Sequence, residues 1–302
     1  MTSELIDVNA VGSEPSVLYH YTDADGLRGI VTSGELWATD AFYLNDASEL
    51  RYVFQLVVEE LDQIERSDSP SPDTVSEVAK MVRLAADIAL ETIHDDIPFF
   101  VACFCEKKDL LSQWRGYAKS VGGFSIGFKR RELEAVDEQR DFGRCEFEKV
   151  SYDVYSQRAQ LREQLREAIK RYELTGESER DRLSLWQSVM GGYFGEVGFN
   201  AVLYKSSGFV EESEWRIVVR ARAVELATRS LVHFRTGPMG LIPYVGIDVC
   251  GADSRRPLIG EIVVGPTPHP ELAERSVRML LASVGFEDDE VTISHSKIPL
   301  RT

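Results

Sequence analysis

At 302 residues, 43% hydrophobic and 28% charged, the chain has the composition of a folded protein with room for a full core, which excludes a disordered one. Its net charge of −16, from 34 basic and 50 acidic side chains, excludes broad non-specific nucleic-acid binding, because so acidic a surface repels a phosphate backbone. No run approaches the roughly eighteen consecutive apolar residues of a membrane helix. The opening MTSELIDVNA carries no basic-then-apolar signal, so the sequence predicts a cytoplasmic protein with no membrane partner.

In chain order, SVLYHYT reads as a strand and DADGLRGIVTSG as a short helix. Thr22 and Asp25 fit a capping box for that helix, and Gly34 fits its end. ELWAT is a second strand, and the loop DAFYLND leads to a long helix from about Ala47, with Asp46 and Glu49 as a cap pair. The proline-containing RSDSPSPD separates it from a second amphipathic helix that runs to about His94. From Pro98 strands dominate: IPFFVACFC, GGFSIGF and CEFEKVSYD, with DLLSQWRGYA as a short helix between the first two. Residues 155–195 read as helical, broken near Thr175 and Gly176, with arginines and lysines alternating with acids as a solvated, salt-bridged face. The last third reads as strands NAVLYKSS, ESEWRIVVRA, SLVHFR, IPYVGIDV and IGEIVVGP, a helix over 270–284 and a final strand EVTISHSKIPL. Two helix-rich blocks, at about 47–95 and 155–195, are thus inserted among strands that must pair over long distances. That order predicts an α+β fold with a mixed, largely antiparallel sheet core, read as a single domain over 1–302.

No phosphate-binding glycine loop, nucleophile elbow or H-E-x-x-H helix is present. The five histidines are scattered, and Cys103 and Cys105 form a lone C-x-C pair in an apolar run, a pattern of small core residues. No metal site is expected. Four polar-aromatic clusters stand out at strand ends and loops, where sites are assembled on rigid frames: Leu18–Thr22, Tyr43–Asp46 with Glu49, Ser112–Ala118, and Glu211–Arg216. Aromatic faces with a few convergent polar groups suit a flat, polar ligand, so the four clusters are expected to meet in one pocket.

The motifs LYHYT, YLND, C-F-x-E-K-x-D-L-L-S-Q-W-R-G-Y-A, G-F-S-I-G-F and E-S-E-W-R, followed by IVVGP and S-K-I-P-L-R, resemble in this order the bacterial domain-of-unknown-function family numbered 2971. The resemblance runs from about Val17 to Arg301; one departure is Cys105, where that family usually has serine. That family in turn resembles ADP-ribosyltransferases, through a histidine followed by an aromatic and a hydroxyl residue on the first strand and a late strand opening with glutamate. The resemblance implies an ADP-ribosyltransferase-like fold and an enzyme that takes NAD as substrate and modifies a macromolecular target, protein or nucleic acid, a chemistry found in toxin and anti-phage settings. It further implies His20 as the ribose anchor with Tyr21 and Thr22 beside it, and Tyr43 or Tyr117 as the ring stacking on nicotinamide. Arg115 would pair with the pyrophosphate, Asn45 would line the cofactor site, and Glu214 would be the catalytic acid with Glu212 as its alternative.

The chemistry suits those residue types, since a carboxylate stabilises the positive charge that develops on ribose as nicotinamide leaves. Each residue also has a plainer explanation. Thr22, Asp46 and Glu49 are accounted for as caps, and Trp114 and Tyr117 at i and i+3 as packing. Alternation along ESEWRIVV puts Glu214 and Arg216 on one face as an exposed pair worth about 0–1 kcal/mol. The competing functions are a non-catalytic nucleotide sensor using the same pocket and a protein-interaction module.

Overall fold

The computed structural model describes residues 14–44, 48–67, 72–92, 99–118, 122–136, 144–174, 193, 195–220, 231–237, 240–251 and 256–299. In chain order the strands are β1 (Val17–Thr22), β2 (Glu35–Asp40), β3 (Phe99–Cys105), β4 (Phe124–Lys129), β5 (Arg144–Lys149) and β6 (Glu214–Arg220). They continue with β7 (Val232–Gly237), β8 (Gly240–Asp248), β9 (Ile259–Val264) and β10 (Thr292–His295). The helices are α1 (Ala24–Ser33), α2 (Ser48–Arg66), α3 (Pro72–Thr92), α4 (Leu111–Tyr117), α5 (Arg130–Val136), α6 (Val154–Glu173) and α7 (Pro270–Ser283). The fold is α+β, with strands paired mostly antiparallel and β9 with β10 in parallel. Among the described residues no helix is long and apolar enough to cross a membrane.

The chain divides into two compact units, each discontinuous in sequence. The first comprises Met1–Gly34, Phe104–Ala135 and Val249–Thr302. Its strands run in the order β10, β9, β4, β1, and Tyr19 of β1 pairs with Cys105 at the end of β3. Period-two alternation along β1 points Tyr19 and Tyr21 into a cluster with Cys105, Leu110, Trp114 and Val263. The chain leaves the sheet at Asp23, not at Thr22. Thr22 still pairs with Phe124, and it is the Asp23 carboxylate that accepts from the Gly26 amide at 2.9 Å to cap α1. The capping box expected at Thr22 and Asp25 is therefore replaced by a single cap at Asp23, since Gly26 three residues on has no side chain to bond back. Gly34 ends the helix in the left-handed conformation, φ 71°, that glycine adopts without strain.

The second unit comprises Glu35–Cys103 and Val136–Asp248. Strands β3, β2, β8 and β7 pair in that order, and β6 pairs with both β3 and β5. Its core joins Val53, Val57 and Leu61, one turn apart along α2, to Val75, Val78 and Val82 of α3, Leu161 and Leu165 of α6, and Val218 of β6. The basic face of α6 is not merely solvated. Arg158 and Arg162 turn onto Glu60 of α2, which is 0% exposed, through contacts of 2.8 and 2.7 Å. NAVLYKSS is not a strand either: residues 195–201 are helical, and Tyr204 makes only an isolated bridge to Ser151. A short buried apolar run such as Ala201–Tyr204 has no period that separates strand from helix end.

Gly265 passes so close to α4 that a Cβ there would lie 2.9 Å from both the Gly123 carbonyl oxygen and the Trp114 ring. Gly265→Ala should lower stability by about 1–3 kcal/mol, because neither neighbour is a flexible chain end. Gly260→Ala, whose Cβ would meet only the Gly127 carbonyl at 3.9 Å, should not. Urea unfolding of the two variants checks the pair; equal losses would contradict this packing.

Candidate functional site

In the first unit the Leu18–Thr22 and Ser112–Ala118 clusters come together through Tyr21 and Trp114, whose rings meet edge-on at 4.7 Å. The Tyr21 hydroxyl donates to the Lys107 carbonyl at 2.7 Å and accepts from the Leu110 amide at 3.0 Å. The Trp114 indole donates to Asp109 at 2.8 Å, and the same carboxylate accepts from the Ser296 hydroxyl and the Lys297 amide. These bonds tie the D-L-L-S-Q-W motif and the C-terminal S-K-I-P segment to β1. Tyr21 and Trp114 are thereby packing residues, and burial raises the Tyr21 hydroxyl well above its ordinary range.

His20 faces the other side of β1, half-buried, with its ring 5.9 Å from Phe104, and Thr22 is also half-buried. Arg115 and Tyr117 are exposed on α4. The contact that joins the two clusters is that of Tyr21 with Trp114.

In the second unit Tyr43 closes a 3-10 turn, Ala41–Tyr43, capped by Asp40 through the Phe42 amide at 3.0 Å. It is half-buried. Asn45 and Asp46 lie outside the described residues, as does the side chain of Glu49.

The Glu211–Arg216 cluster forms a buried charge site in this unit. A 3-10 turn, Ser207–Glu212, brings the chain to Ser213, which holds φ 45° and ψ 55°, and β6 starts at Glu214. Among the described residues Ser213 is the one non-glycine with a positive φ, a conformation costing about 1–2 kcal/mol. The carboxylates on either side of it meet one ammonium: Lys205 Nζ lies 2.6 Å from Glu212 and 2.8 Å from Glu214. Arg216 holds Glu214 from the other side, Nε to Oε1 at 2.9 Å and Nη2 to Oε2 at 3.1 Å, while its Nη1 donates to the Val202 carbonyl at 2.6 Å. The Glu214 amide donates to the Tyr152 hydroxyl at 3.0 Å.

Glu214, Arg216 and Lys205 are 4%, 2% and 7% exposed, so the pair expected on a solvated sheet face is buried. Two acids and two bases leave that cluster neutral, which is what makes its burial tolerable. Burial alone would push the Glu214 carboxyl up, but the adjacent Arg216 and Lys205 charges outweigh it and hold it at about 2, against an ordinary 4.5. The Cys103 thiol beside it is pushed well up by burial and by the Glu214 charge. Glu212 is the outer carboxylate, with 22% of its side chain exposed.

Sequence reasoning missed Lys205. The available signal was a lysine closing the apolar run AVLY, where an unpaired charge would be costly. It missed Tyr204 as well, 4% exposed, whose hydroxyl has no hydrogen-bond partner among the described residues; such a group costs about 1–3 kcal/mol. Among the described residues no group of three or more His, Cys, Asp and Glu side chains could hold a metal ion.

Residues 113–217 match the model of a family described as a protein of unknown function, DUF2971. The matched segment opens at Gln113 inside α4 and closes at Ile217 inside β6, so it takes in most of the S-Q-W-R-G-Y-A motif and all of E-S-E-W-R. No curated protein and no solved structure matches the chain.

Because the folded value of Glu214 lies below the unfolded one, its ionisation stabilises the fold fully above about pH 4.5, and that contribution is lost as pH falls towards about 2. The shift corresponds to an order of about 3 kcal/mol. Glu214→Gln should itself destabilise by about 3–5 kcal/mol, since Arg216 and Lys205 are left buried without it. The difference between wild type and variant should then shrink below about pH 4. Urea midpoints measured against pH check this; a constant difference down to pH ~2 would contradict it.

Proposed function

We propose that this chain, which carries the DUF2971 segment over residues 113–217, is an NAD-dependent ADP-ribosyltransferase whose carboxylates are Glu212 and Glu214. The observation that carries the reading is the strained Ser213 backbone, which sets two glutamate side chains on one buried lysine at the head of β6. Backbone strain concentrates at functional sites, where surrounding contacts hold it in place.

In this reaction the bond from C1′ of the nicotinamide ribose to the pyridinium nitrogen breaks, and its electron pair leaves with nicotinamide. A nucleophile of the acceptor then bonds to C1′ and releases its proton. Positive charge builds on the sugar in between, and an ionised carboxylate facing it stabilises that charge without reorganisation. In this reading Glu212, the partly exposed member, meets the sugar, and Glu214 positions it through Lys205. Both oxygens of Glu214 are already engaged, which suits a positioning residue better than the catalytic acid expected for it. The same complete pairing favours a second reading, in which the protein binds a nucleotide-like ligand as a sensor or interaction module and turns nothing over.

Nicotinamide release from NAD by the purified chain, with water as acceptor, separates the two. The transferase reading expects release, lowered about 100-fold or more by Glu212→Gln, with a smaller loss of stability than Glu214→Gln because Lys205 keeps Glu214 as its partner. Glu214→Gln should lower both rate and stability. Saturable NAD binding without release supports the sensor. Release that is unchanged in a folded Glu212→Gln variant would contradict the carboxylate assignment.

A further inference from the structure

In the second unit β7 ends its run of paired strands, and among the described residues it pairs with β8 alone. Pro243 decides which backbone groups that leaves. Phe234 stands opposite Pro243, which has no N–H to give, so theirs is a non-hydrogen-bonded pair of the antiparallel ladder. The two kinds of pair alternate. His233 and Arg235 therefore bond to β8, while Val232, Phe234 and Thr236 turn their N–H and C=O groups to the outer edge. The same three side chains share a sheet face with Leu241, Pro243 and Val245. On that face Phe234 is 62% exposed and Leu241 64%.

Other edge strands carry protection that β7 lacks. In the first unit β10 has four residues, and in the second β5, which pairs with β6, carries Glu146, Glu148 and Lys149. Short strands and charged side chains of this kind discourage edge-to-edge pairing. β7 has six residues, an unbroken register, no proline, and an exposed phenylalanine near its middle.

The distribution of acids adds a second, independent observation. The chain holds 50 acidic side chains in 302 residues, yet none stands between Glu225 and Asp248. Two chains of net charge −16 repel wherever their acids meet. Along β7 and the length of β8 beside it, two copies can be apposed with no carboxylate of these strands against another.

We propose that β7 is a dimerisation edge, which pairs antiparallel with β7 of a second copy of this chain about a two-fold axis at Phe234. In that register Phe234 exchanges backbone hydrogen bonds with Phe234 of the second copy, and Val232 does so with Thr236, so every outward-facing residue of the strand is used. The two Phe234 rings meet across the axis as a cross-strand aromatic pair. Moving the axis to Arg235 would set two guanidinium groups directly opposite each other, and moving it to His233 would carry Thr236 past the start of the other β7. This surface uses neither Glu212 nor Glu214, so it is independent of the transferase reading.

Sedimentation of the full chain between about 1 µM and 1 mM, together with amide hydrogen exchange, tests it. A reversible monomer–dimer equilibrium with a Kd of about 1–100 µM is expected for so small an interface. As concentration rises, the amides of Val232, Phe234 and Thr236 should gain protection, while those of His233 and Arg235, already bonded to β8, should not change. Thr236→Pro removes an N–H that β8 does not use, so it should keep the fold and weaken the dimer about tenfold or more. Phe234→Asp, with the same expected loss, replaces it if the hairpin does not accept proline. Leu272→Asp, at a leucine 61% exposed on α7, should leave dimerisation unchanged. A chain that stays monomeric up to about 1 mM would overturn the proposal. So would a dimer unaffected by a folded Thr236 or Phe234 variant, one weakened as much by Leu272→Asp, or protection that does not alternate along β7.

Discussion

The second unit depends on one electrostatic constraint: a carboxylate and a guanidinium cannot be taken out of water unless each is fully met. Glu214 and Arg216 stand two residues apart on β6, so alternation puts them side by side on one face. That face is buried, and Lys205 and Glu212 complete the charge balance from the segment that precedes the strand. The Arg216 contact to the Val202 carbonyl and the Tyr152 hydroxyl under the Glu214 amide fasten the neighbouring backbone to the same cluster. Removing one charge would strand the others, which is why a buried pair is costly to break even where forming it contributes little net stability. The left-handed Ser213 is tolerated in that setting, because Glu212 and Glu214 are anchored on either side of it.

The first unit solves a different problem with neutral groups. Tyr21, Trp114 and Asp109 join three segments far apart in sequence, and each polar atom of the set has a partner within hydrogen-bond distance. Much of what makes the S-Q-W-R-G-Y-A and L-Y-H-Y-T motifs recognisable therefore serves packing. Tyr19 follows the same logic on the same strand face, donating to Glu261, which also receives Lys108 and Ser294. In the first unit, then, membership of a motif does not mark a residue as part of a site, whereas the E-S-E-W-R motif supplies the buried charge cluster of the second.

What was legible in the sequence was local. Alternation in EWRIVVR, the apolar run FFVACFC and the glycine after TS located β6, β3 and the end of α1 without reference to the rest of the chain. The cap of α1 was missed by one residue because strand pairing with Phe124 holds Thr22 extended, a long-range effect. NAVLYKSS was misread because a four-residue buried run carries no period. The burial of Glu214 was illegible for a similar reason: its second cation lies nine residues upstream in irregular backbone, a spacing that no helix or strand rule connects. The pairings of β9 with β4 and of β4 with β1 likewise join strands more than a hundred residues apart, beyond local pattern.

The central claim is that Glu214 is held ionised inside the protein by Lys205 and Arg216. Carbon-13 NMR of the side-chain carboxyls, with the Glu214 signal identified by its loss in Glu214→Gln, reads this directly. A resonance that stays at its ionised shift as pH is lowered through 4 and moves only near about 2, or when the chain unfolds, is the predicted result. A Glu214 carboxyl that titrates in the folded protein near 4.5 would contradict the account.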